Sequence, residues 1–401
     1  MTKVRSALVI GGGIAGPVAA MALRKAGIEA TIYEAYPGTT DGVGGTLAIA
    51  PNGLAALGVV GADEAVKAIA EPQPRMVMEV GGRRIAMLPS LADLPPLQLL
   101  WRNDLHRVLH DLAKQRGIVT EYGKRVVEVQ DLKDGIGGIK ATFADGSTAT
   151  ADVLIGADGV RSTVRTLIDP DAPGPRYTGM LGFGAEVDFE ADSEPGTMHF
   201  VFGRKAYYLY NRLRGGGTLW GANLPFDRPM SLVEARAVPP ENWIEKLREA
   251  YGDEDPGGQF VRHTTPENLT IVGGLHIMPS VPRWWWGRMV LVGDSVHAPS
   301  NSSGQGASLA IESAVQIARC LRDLPDPASA FTAFERLRRD RVEAVAKRAA
   351  RINHAKAPGP IARAIMPTMM KIMMKTVMRP EGTMAREQRY RIDFDEKVSG
   401  C

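Results

Sequence analysis

Three glycines near the start of the chain have a spacing that can bind a diphosphate. They are Gly11, Gly13 and Gly16, in the segment Gly-Gly-Gly-Ile-Ala-Gly. In such a segment the first glycine permits a tight turn, the second lets the backbone approach a pyrophosphate, and the third lets a helix pack closely on a strand. The N–H groups at the start of that helix are free to bind phosphate oxygens, whose negative charge the helix dipole favours. The segment therefore predicts a dinucleotide site.

This chemistry requires a strand, a helix and a second strand around the glycines. Residues 7–10 are an apolar run typical of a buried strand, residues 17–25 form a predicted helix closed by Gly27, and residues 30–33 form a second strand. Glu34 follows that strand, where its carboxylate can accept hydrogen bonds from an adenosine ribose. Glycine accounts for 44 of 401 residues, so the spacing alone is weak evidence and the context makes it specific. An acidic residue at position 34 is compatible with either FAD or NAD, so it does not distinguish between the two cofactors.

Two later segments also end apolar strands in polar residues. Residues 153–155 run into Gly-Ala-Asp-Gly at 156–159, and residues 288–292 run into Gly-Asp at 293–294, followed by a loop and a helix that starts near Gly304. Each is a further place where backbone N–H groups could approach a bound cofactor. Residues 11–16, 156–162 and 293–306 are called the first, second and third motifs below.

Arg102 has an unusual position. It opens a predicted helix over residues 102–115, although the first turn of a helix prefers acidic residues. One interpretation is a surface salt bridge. The other is that the guanidinium points at an anion or a polyol of a ligand.

The composition argues against several classes of protein. The formal charge is only +3 and there are two cysteines, Cys320 and Cys401, so neither a nucleic-acid partner nor a disulfide framework nor a metal site is expected. The first strand begins almost at once, which predicts no signal peptide. No apolar run reaches the length of a transmembrane segment. We expect a cytoplasmic protein, monomeric or homodimeric.

The middle of the chain is predicted to be rich in β-strands. Aromatic strands are expected over 198–202, 207–211 and 218–224, and a hairpin through Gly81-Gly82 is expected to join strands 76–80 and 84–88. Helices are predicted over 54–70 and 230–251. Four side chains on the aromatic strands could orient a phenol or an enol, although ordinary sheet packing is the more common role of such residues: His199, Tyr208, Tyr210 and Arg212.

All three motifs match, in order, those of the FAD-dependent aromatic hydroxylases, which the chain resembles over about residues 4–350. These are single-component flavoprotein monooxygenases of the para-hydroxybenzoate hydroxylase type. The resemblance implies that FAD is the bound cofactor and that NAD(P)H is a transient electron donor. It also implies that O2 forms a flavin C4a-hydroperoxide, which hydroxylates a small or medium aromatic or polyketide-like substrate. Epoxidation, Baeyer–Villiger oxidation, reduction and a non-catalytic flavin-binding role stay open.

Two related classes explain the sequence less well. A plain NAD dehydrogenase would account for the first motif but leaves the second and third unexplained. Flavin-dependent halogenases share the fold, but their Trp-x-Trp-x-Ile-Pro motif is missing. The tryptophans at 284–286 stand directly before the third motif, where they cannot substitute for it.

The resemblance also implies roles for individual residues. Glu34 would bind the adenosine ribose, Arg102 the ribityl-diphosphate region and Asp294 the ribityl hydroxyls, while Asp158 would serve both FAD and NAD(P)H. The start of the helix after Gly304 would face the pyrimidine edge of the flavin, where reduced flavin carries negative charge. The cofactor-binding residues so implied are Gly11, Gly13, Ala15, Gly16, Glu34, Ala35, Ala48, Arg102, Val126, Asp158, Gly293, Asp294, Gly304, Gln305, Gly306 and Ala307.

The predicted fold class is α/β, with a Rossmann-like FAD-binding domain, an inserted β-rich substrate domain and a C-terminal helical tail. The FAD-binding domain is expected over 1–71, 98–175 and 268–352, and the substrate domain over 72–97 and 176–267. Residues 353–401 form the tail, whose methionines at helical spacing predict an apolar helix face. Packing on its own protein is the first interpretation of this helix; a partner, membrane-surface or substrate-entrance role is the other.

Overall fold

The computed structural model describes residues 3–38, 44–132, 138–354 and 382–399. Its strands are β1 Ser6–Ile10, β2 Glu29–Tyr33, β3 Thr46–Ile49, β4 Glu71–Gln73, β5 Arg75–Val80, β6 Arg83–Pro89, β7 Leu97–Trp101, β8 Val119–Glu121, β9 Val126–Leu132, β10 Gly138–Phe143, β11 Thr148–Ala151, β12 Val153–Gly156, β13 Arg176–Val187, β14 Thr197–Phe202, β15 Tyr207–Arg212, β16 Thr218–Pro225, β17 Thr270–Ile277, β18 Trp285–Trp286 and β19 Met289–Leu291. Its α-helices are α1 Ala15–Lys25, α2 Pro51–Val59, α3 Asp63–Ala68, α4 Arg102–Gln115, α5 Thr163–Ile168, α6 Leu232–Ala237, α7 Pro240–Tyr251, α8 Gly257–Arg262, α9 Gly306–Asp323, α10 Pro327–His354 and α11 Thr383–Arg389. Residues Gly293–Ser295 and Asn301–Ser303 form short 3-10 turns.

A six-stranded sheet in the order β18-β19-β12-β1-β2-β8 carries the three motifs. The strands from β19 to β8 are parallel, and their apolar residues pack with α1 and α9 into the largest hydrophobic core. β1, β12 and β19 are neighbours, and each motif follows the carboxyl end of one of them. Ligands of open parallel sheets bind beyond these ends. The predicted α/β fold class with a Rossmann-like FAD-binding fold is confirmed.

A seven-stranded sheet in the order β17-β13-β16-β15-β14-β5-β6 forms a second layer. Its inner strands and hairpin lie where the sequence predicts them, and Gly81 and Gly82 have positive φ angles of 56° and 75°, as the hairpin requires. Helices α6, α7 and α8 contribute to the apolar cluster on one face. β17 also belongs to this sheet, although we expected residues from 268 onward in the FAD-binding domain; the domain boundaries stay a prediction.

Three predicted elements are interrupted in the structure. The helix predicted over 54–70 is split into α2 and α3 by Gly61, whose φ is +59°. The helix predicted over 230–251 is split into α6 and α7 at Val238-Pro239, because proline lacks an N–H donor and keeps the preceding residue extended. The strand predicted over 148–154 is two strands in different sheets, β11 and β12. The Asp152 carboxylate between them accepts hydrogen bonds from the Arg5 and Ser6 amides at 2.7 and 3.0 Å.

The residues that follow α11 pack against the core. The predicted methionine-rich helix lies largely outside the described residues, and α11 follows it. Phe394 and Val398 pack into the largest core cluster, and the Arg322 guanidinium lies 4.7 Å from the Phe394 ring centre. Within the described ranges, no helix combines the length and apolar character needed to cross a bilayer. No group of three or more His, Cys, Asp or Glu side chains in this part of the chain could hold a metal ion.

Candidate cofactor and substrate site

The first two motifs are in direct contact. The Gly11 amide donates a hydrogen bond to the Tyr33 carbonyl at 2.9 Å, and the Ala157 amide donates to the Ile10 carbonyl at 2.7 Å. A Cβ on Gly11 would stand 2.5 Å from the Ala157 carbonyl oxygen, and its φ is +105°. Only glycine fits such an approach.

Hydrogen bonds connect the third motif to the second. The Ser295 hydroxyl donates to the Gly156 carbonyl at 2.7 Å, and the buried Arg165 guanidinium donates to the Ser295 carbonyl at 2.8 Å. Asp158 accepts from the Ser162 hydroxyl at 2.5 Å and the Val164 amide at 3.0 Å, near the start of α5. Surrounding protein raises the pKa of Asp158 by desolvation. These bonds give Asp158 a structural role, while its contact with FAD and NAD(P)H stays a prediction.

Glu34 is fixed beside the first motif. Its buried carboxylate accepts hydrogen bonds from the Gly12 amide at 2.7 Å and the Tyr36 amide at 2.9 Å. The Lys124 amide donates to the Glu34 carbonyl at 2.8 Å, which brings the segment leading to Val126 to the same corner. A ribose and an adenine would therefore meet Glu34 and Val126 together, as the resemblance implies.

Two buried histidines on α4 complete this corner, and sequence reasoning missed them. His110 Nε2 lies 2.5 Å from the Gly12 carbonyl oxygen, and the His106 and His110 rings lie 4.2 Å apart. Burial, and then His110, lower the pKa of His106 to about 4, so the ring is neutral at pH 7. Their spacing of four residues on one helix face was the available signal.

Arg102 and Asp294 lie close enough for the Arg102 charge to act on the Asp294 carboxyl. The Asp294 side chain is accessible to solvent, but many protein atoms lie around it. The resulting desolvation raises the pKa of its carboxyl, and the Arg102 charge offsets only part of this increase. The Arg102 side chain packs on Gly44, where a Cβ would stand 2.8 Å from Arg102 Cδ. Among the described residues Arg102 has no salt bridge, so the surface-pair interpretation is not supported. A cation and an accessible carboxylate suit a diphosphate and a polyol.

The start of α9 presents free backbone donors beside β3. No side chain caps the first N–H groups of this helix, and Gly304 has a φ of +59°. The Ala50 amide donates to the Ser308 hydroxyl at 3.0 Å, and Asn52 Nδ2 donates to Gln305 Oε1 at 2.9 Å. These bonds hold the segment after Ala48 against the helix start. The uncapped donors, the open space at Gly13 and the Asp294 carboxylate together fit FAD.

A cavity of about 240 Å³ separates this helix start from the second sheet. Gly304 and Gln305 of the third motif line it, with Ala48 of β3. The opposite wall is apolar and comes from β5, β7, β14 and β15, and α11 closes one side with Met384, Glu387 and Gln388. The wall residues are Met76, Met78, Leu97, Leu99, Met198, Phe200, Phe202, Tyr207 and Leu209.

The four candidates for substrate orientation do not line this cavity, so the geometry gives their expected role no support and it stays a prediction. His199, Tyr208 and Tyr210 point to the opposite face of the sheet, because side chains alternate along a strand. On that face, Tyr208 and Tyr210 belong to the apolar cluster that α6, α7 and α8 cover. His199 Nδ1 lies 2.6 Å from Glu79 Oε1, and His199 Nε2 lies 2.7 Å from the Ser193 hydroxyl. Arg212 forms a salt bridge with Glu190. Tyr207 and Leu209, one position away, face the cavity instead.

Replacing Asp294 with alanine is expected to weaken FAD binding without destabilising the apoprotein. Lost hydrogen bonds to a carboxylate predict a Kd for FAD about 10- to 100-fold higher. Folding raises the pKa of Asp294, so the ionised carboxylate at pH 7 makes an unfavourable contribution to folding. Its removal should therefore leave the free energy of unfolding unchanged or increase it. Flavin titration and urea unfolding measure both quantities, with Asp111→Ala on the exposed face of α4 as the control. Unchanged FAD affinity would contradict this role.

His297 of the third motif is expected to make the fold sensitive to acid. It is buried, and Nε2 lies 2.8 Å from the Ser313 hydroxyl. Burial, and then Arg338, lower its pKa to about 3, so the unfolded chain binds the proton first and stability falls below about pH 6.5. Between pH 6.5 and 5 this loss is about 2 kcal/mol. His297→Gln should flatten the pH dependence of urea unfolding, whereas His263→Gln, an exposed control, should not. Equal slopes in both variants would refute the assignment.

Comparison with known proteins agrees with the site. A sequence profile described as the FAD binding domain matches residues 4–349. The chain is 29% identical over 339 residues to the aurachin C monooxygenase/isomerase of Stigmatella aurantiaca, covering 83% of this chain and 85% of that protein. It is also 29% identical over 360 residues to the 3-amino-4-hydroxybenzoate 2-monooxygenase of Streptomyces cremeus, covering 86% of each.

Solved structures share the fold. Klebsiella pneumoniae HpxO complexed with FAD and uric acid superposes with a TM-score of 0.79 at 23% identity, covering 92% of this chain and 93% of that one. The tetracycline destructase Tet(55) gives a TM-score of 0.70 at 18% identity and covers 98% of both chains. Because the family profile spans most of the sequence, the resemblance is confirmed: the chain belongs to the FAD-dependent aromatic hydroxylase family and is an FAD-dependent monooxygenase.

Proposed function

We propose that this enzyme uses NADH or NADPH, together with O2, to hydroxylate a small or medium, largely apolar aromatic molecule. The observation that carries the proposal is the apolar cavity between the α9 start and the second sheet. An occupant of this cavity would lie between the expected flavin edge, near Ala48 and Gln305, and the wall formed by β14 and β15. Bound FAD, once reduced, supplies the activation of O2.

The walls of the cavity favour an aromatic occupant. Met76, Met78 and Met198 contribute flexible, polarizable thioethers, which pack well against aromatic rings. Phe200 and Phe202 add aromatic surface from β14. Side chains of this kind hold a ring by shape and dispersion and keep water from the reacting atoms.

Polar groups are placed at defined points of the wall. Burial raises the pKa of the Tyr207 phenol above its ordinary value, so the phenol keeps its proton at pH 7 and can serve as a hydrogen-bond donor. Gln73 is held by Asn211, whose Nδ2 donates to Gln73 Oε1 at 2.6 Å. We infer that Tyr207 and Gln73 fix the orientation of a phenol, carbonyl or ring nitrogen on the substrate.

The names of the relatives support this substrate class. One acts on 3-amino-4-hydroxybenzoate, and another is a urate hydroxylase of Klebsiella pneumoniae, so both act on small ring compounds. Methionine and leucine side chains make up much of the described lining of this cavity, and its charged side chains, Arg348 and Glu387, pair with each other. A less polar aromatic substrate therefore suits it better.

A substrate panel tests the proposal. FAD-loaded protein is supplied with NADH or NADPH and with phenols, quinolones or polycyclic polyketides, and hydroxylated products are identified by mass spectrometry. Leu209→Trp, which fills the cavity, is expected to lower kcat/KM about tenfold or more without loss of FAD. Leu337→Trp on the surface of α10 is the matched control. Turnover of non-aromatic ketones alone, or normal kcat/KM in Leu209→Trp, would contradict the proposal.

A further inference from the structure

A second cavity of about 470 Å³ adjoins the substrate cavity. It lies between helix α11 and the connection from β6 to β7. Among the described residues, five side chains line both cavities and thus form the boundary between them: Met76, Leu88, Leu97, Met384 and Gln388. We call these five residues the partition.

The second cavity is apolar. Beyond the partition, the described lining consists of residues 89–92, Pro95 and Ala385, and none of these described lining residues is charged. Ser90 and Gln388 contribute its polar side chains, and a charged group would find no side chain of opposite charge among the described lining residues. Hydrocarbon would be transferred favourably from water into such a space.

The helix on one side of this cavity is firmly held. Arg348 pairs with the buried Glu387 carboxylate at 2.5 Å, and the Arg341 guanidinium donates to the Glu387 carbonyl at 2.9 Å. Arg389 of α11 pairs with Asp93 of the connection from β6 to β7, with 2.9 Å between Nε and Oδ2. The C-terminal segment is therefore a fixed wall of both spaces.

We propose that the two cavities bind one substrate, an aromatic ring that carries an uncharged apolar chain. The ring occupies the substrate cavity, and the chain passes the partition into the second cavity. Met76, Met384 and Gln388 have unbranched side chains that can change rotamer to let a chain through. This inference rests on the proposed function and defines its substrate class more closely.

Binding of a homologous series to the FAD-loaded enzyme tests the inference. The probes are phenol and 4-alkylphenols up to 4-heptylphenol, and Kd is read from the change in flavin absorbance without NAD(P)H. Once the chain reaches the second cavity, each added methylene is expected to lower Kd about two- to fourfold. Ala92→Trp should fill the second cavity and abolish this dependence while leaving the Kd for phenol unchanged. Ala144→Trp, in an exposed turn elsewhere, should behave as the wild type.

Two results would overturn the inference. One is a Kd in the wild type that does not change with chain length. The other is an Ala92→Trp variant that retains the full dependence. If the wild type binds phenol and hydroxylates it without any gain from the chain, only this inference fails. If the wild type neither binds nor hydroxylates any member of the series, the proposed function fails as well.

Discussion

The Gly16→Ala variant is expected to lose its FAD during purification. The added Cβ would stand 2.0 Å from the Gly11 carbonyl oxygen, so the start of α1 must move away from β1. Its free N–H groups would then leave the position where a diphosphate binds. Forced overpacking of this kind costs about 1–3 kcal/mol. The flavin absorbance relative to the protein absorbance measures the retained FAD, and urea unfolding measures the loss of stability.

Gly13→Ala separates cofactor binding from packing. A Cβ at Gly13 meets no atom within 4 Å, so the apoprotein should unfold as the wild type does. FAD binding should still weaken, because that space is where the diphosphate approaches the backbone. Gly174→Ala, also in open space, should change neither quantity. If Gly13→Ala and Gly16→Ala both bind FAD normally, the first motif is only a turn.

Removal of the Glu312 carboxylate is expected to destabilise the fold by about 3–5 kcal/mol. Glu312 and Arg338 are both fully buried, and Arg338 Nη1 lies 2.7 Å from Glu312 Oε2. Arg341 Nη2 lies 2.8 Å from the other carboxylate oxygen, Glu312 Oε1. Burial raises the pKa of Glu312, but the two arginines outweigh it and the net shift is downward. Glu312→Ala would leave the Arg338 charge buried without this partner. The free energy of unfolding by urea measures the loss.

Glu335→Ala is the control for Glu312→Ala. Its pair with Arg339 is partly exposed, so its loss should cost less than about 1 kcal/mol. The double variant Glu312→Leu/Arg338→Met should recover most of the stability, because it removes both buried charges. Since the pKa of Glu312 is lowered, its contribution is complete above pH 4.5 and is lost as the pH falls further. Equal losses in Glu312→Ala and Glu335→Ala would refute the account.

The same cluster connects the core to the cofactor site. Asn52 Nδ2 donates to Glu312 Oε1 at 2.7 Å and also to Gln305 Oε1 at 2.9 Å. Glu312→Ala should therefore loosen the loop at the start of α9 as well as destabilise the core. We expect weaker FAD binding in this variant even at temperatures where it remains folded.

The parts of the site that were predictable from sequence are local. The three motifs each follow a buried strand, and neighbouring parallel strands bring such ends together, so Glu34 and Asp294 could be assigned to one edge of a sheet. Helix α4 and its first residue, Arg102, were also predicted correctly, because its apolar spacing is regular. The resemblance to a family then supplied the order of the motifs.

The parts that could not be predicted from the sequence depend on long-range packing. Alternation along β15 shows that Tyr208 and Tyr210 share a face, but it does not show which face meets the cavity. The choice is made by α7 and α8, which cover the face that carries these tyrosines. Met384 and Gln388 belong to α11, which lies far along the chain from the strands of the cavity wall, beyond the reach of any local pattern. No periodicity could place them there.

The most direct test of the account is a single turnover with labelled oxygen. The FAD-loaded protein is reduced by NADH or NADPH without oxygen, then mixed with ¹⁸O2 and a substrate found in the panel. The account predicts one ¹⁸O atom in each hydroxylated product, and a sharp fall in product for Leu209→Trp but not for Leu337→Trp. Oxygen derived from water, or reduced FAD that returns only hydrogen peroxide with every aromatic compound of the panel, would contradict it.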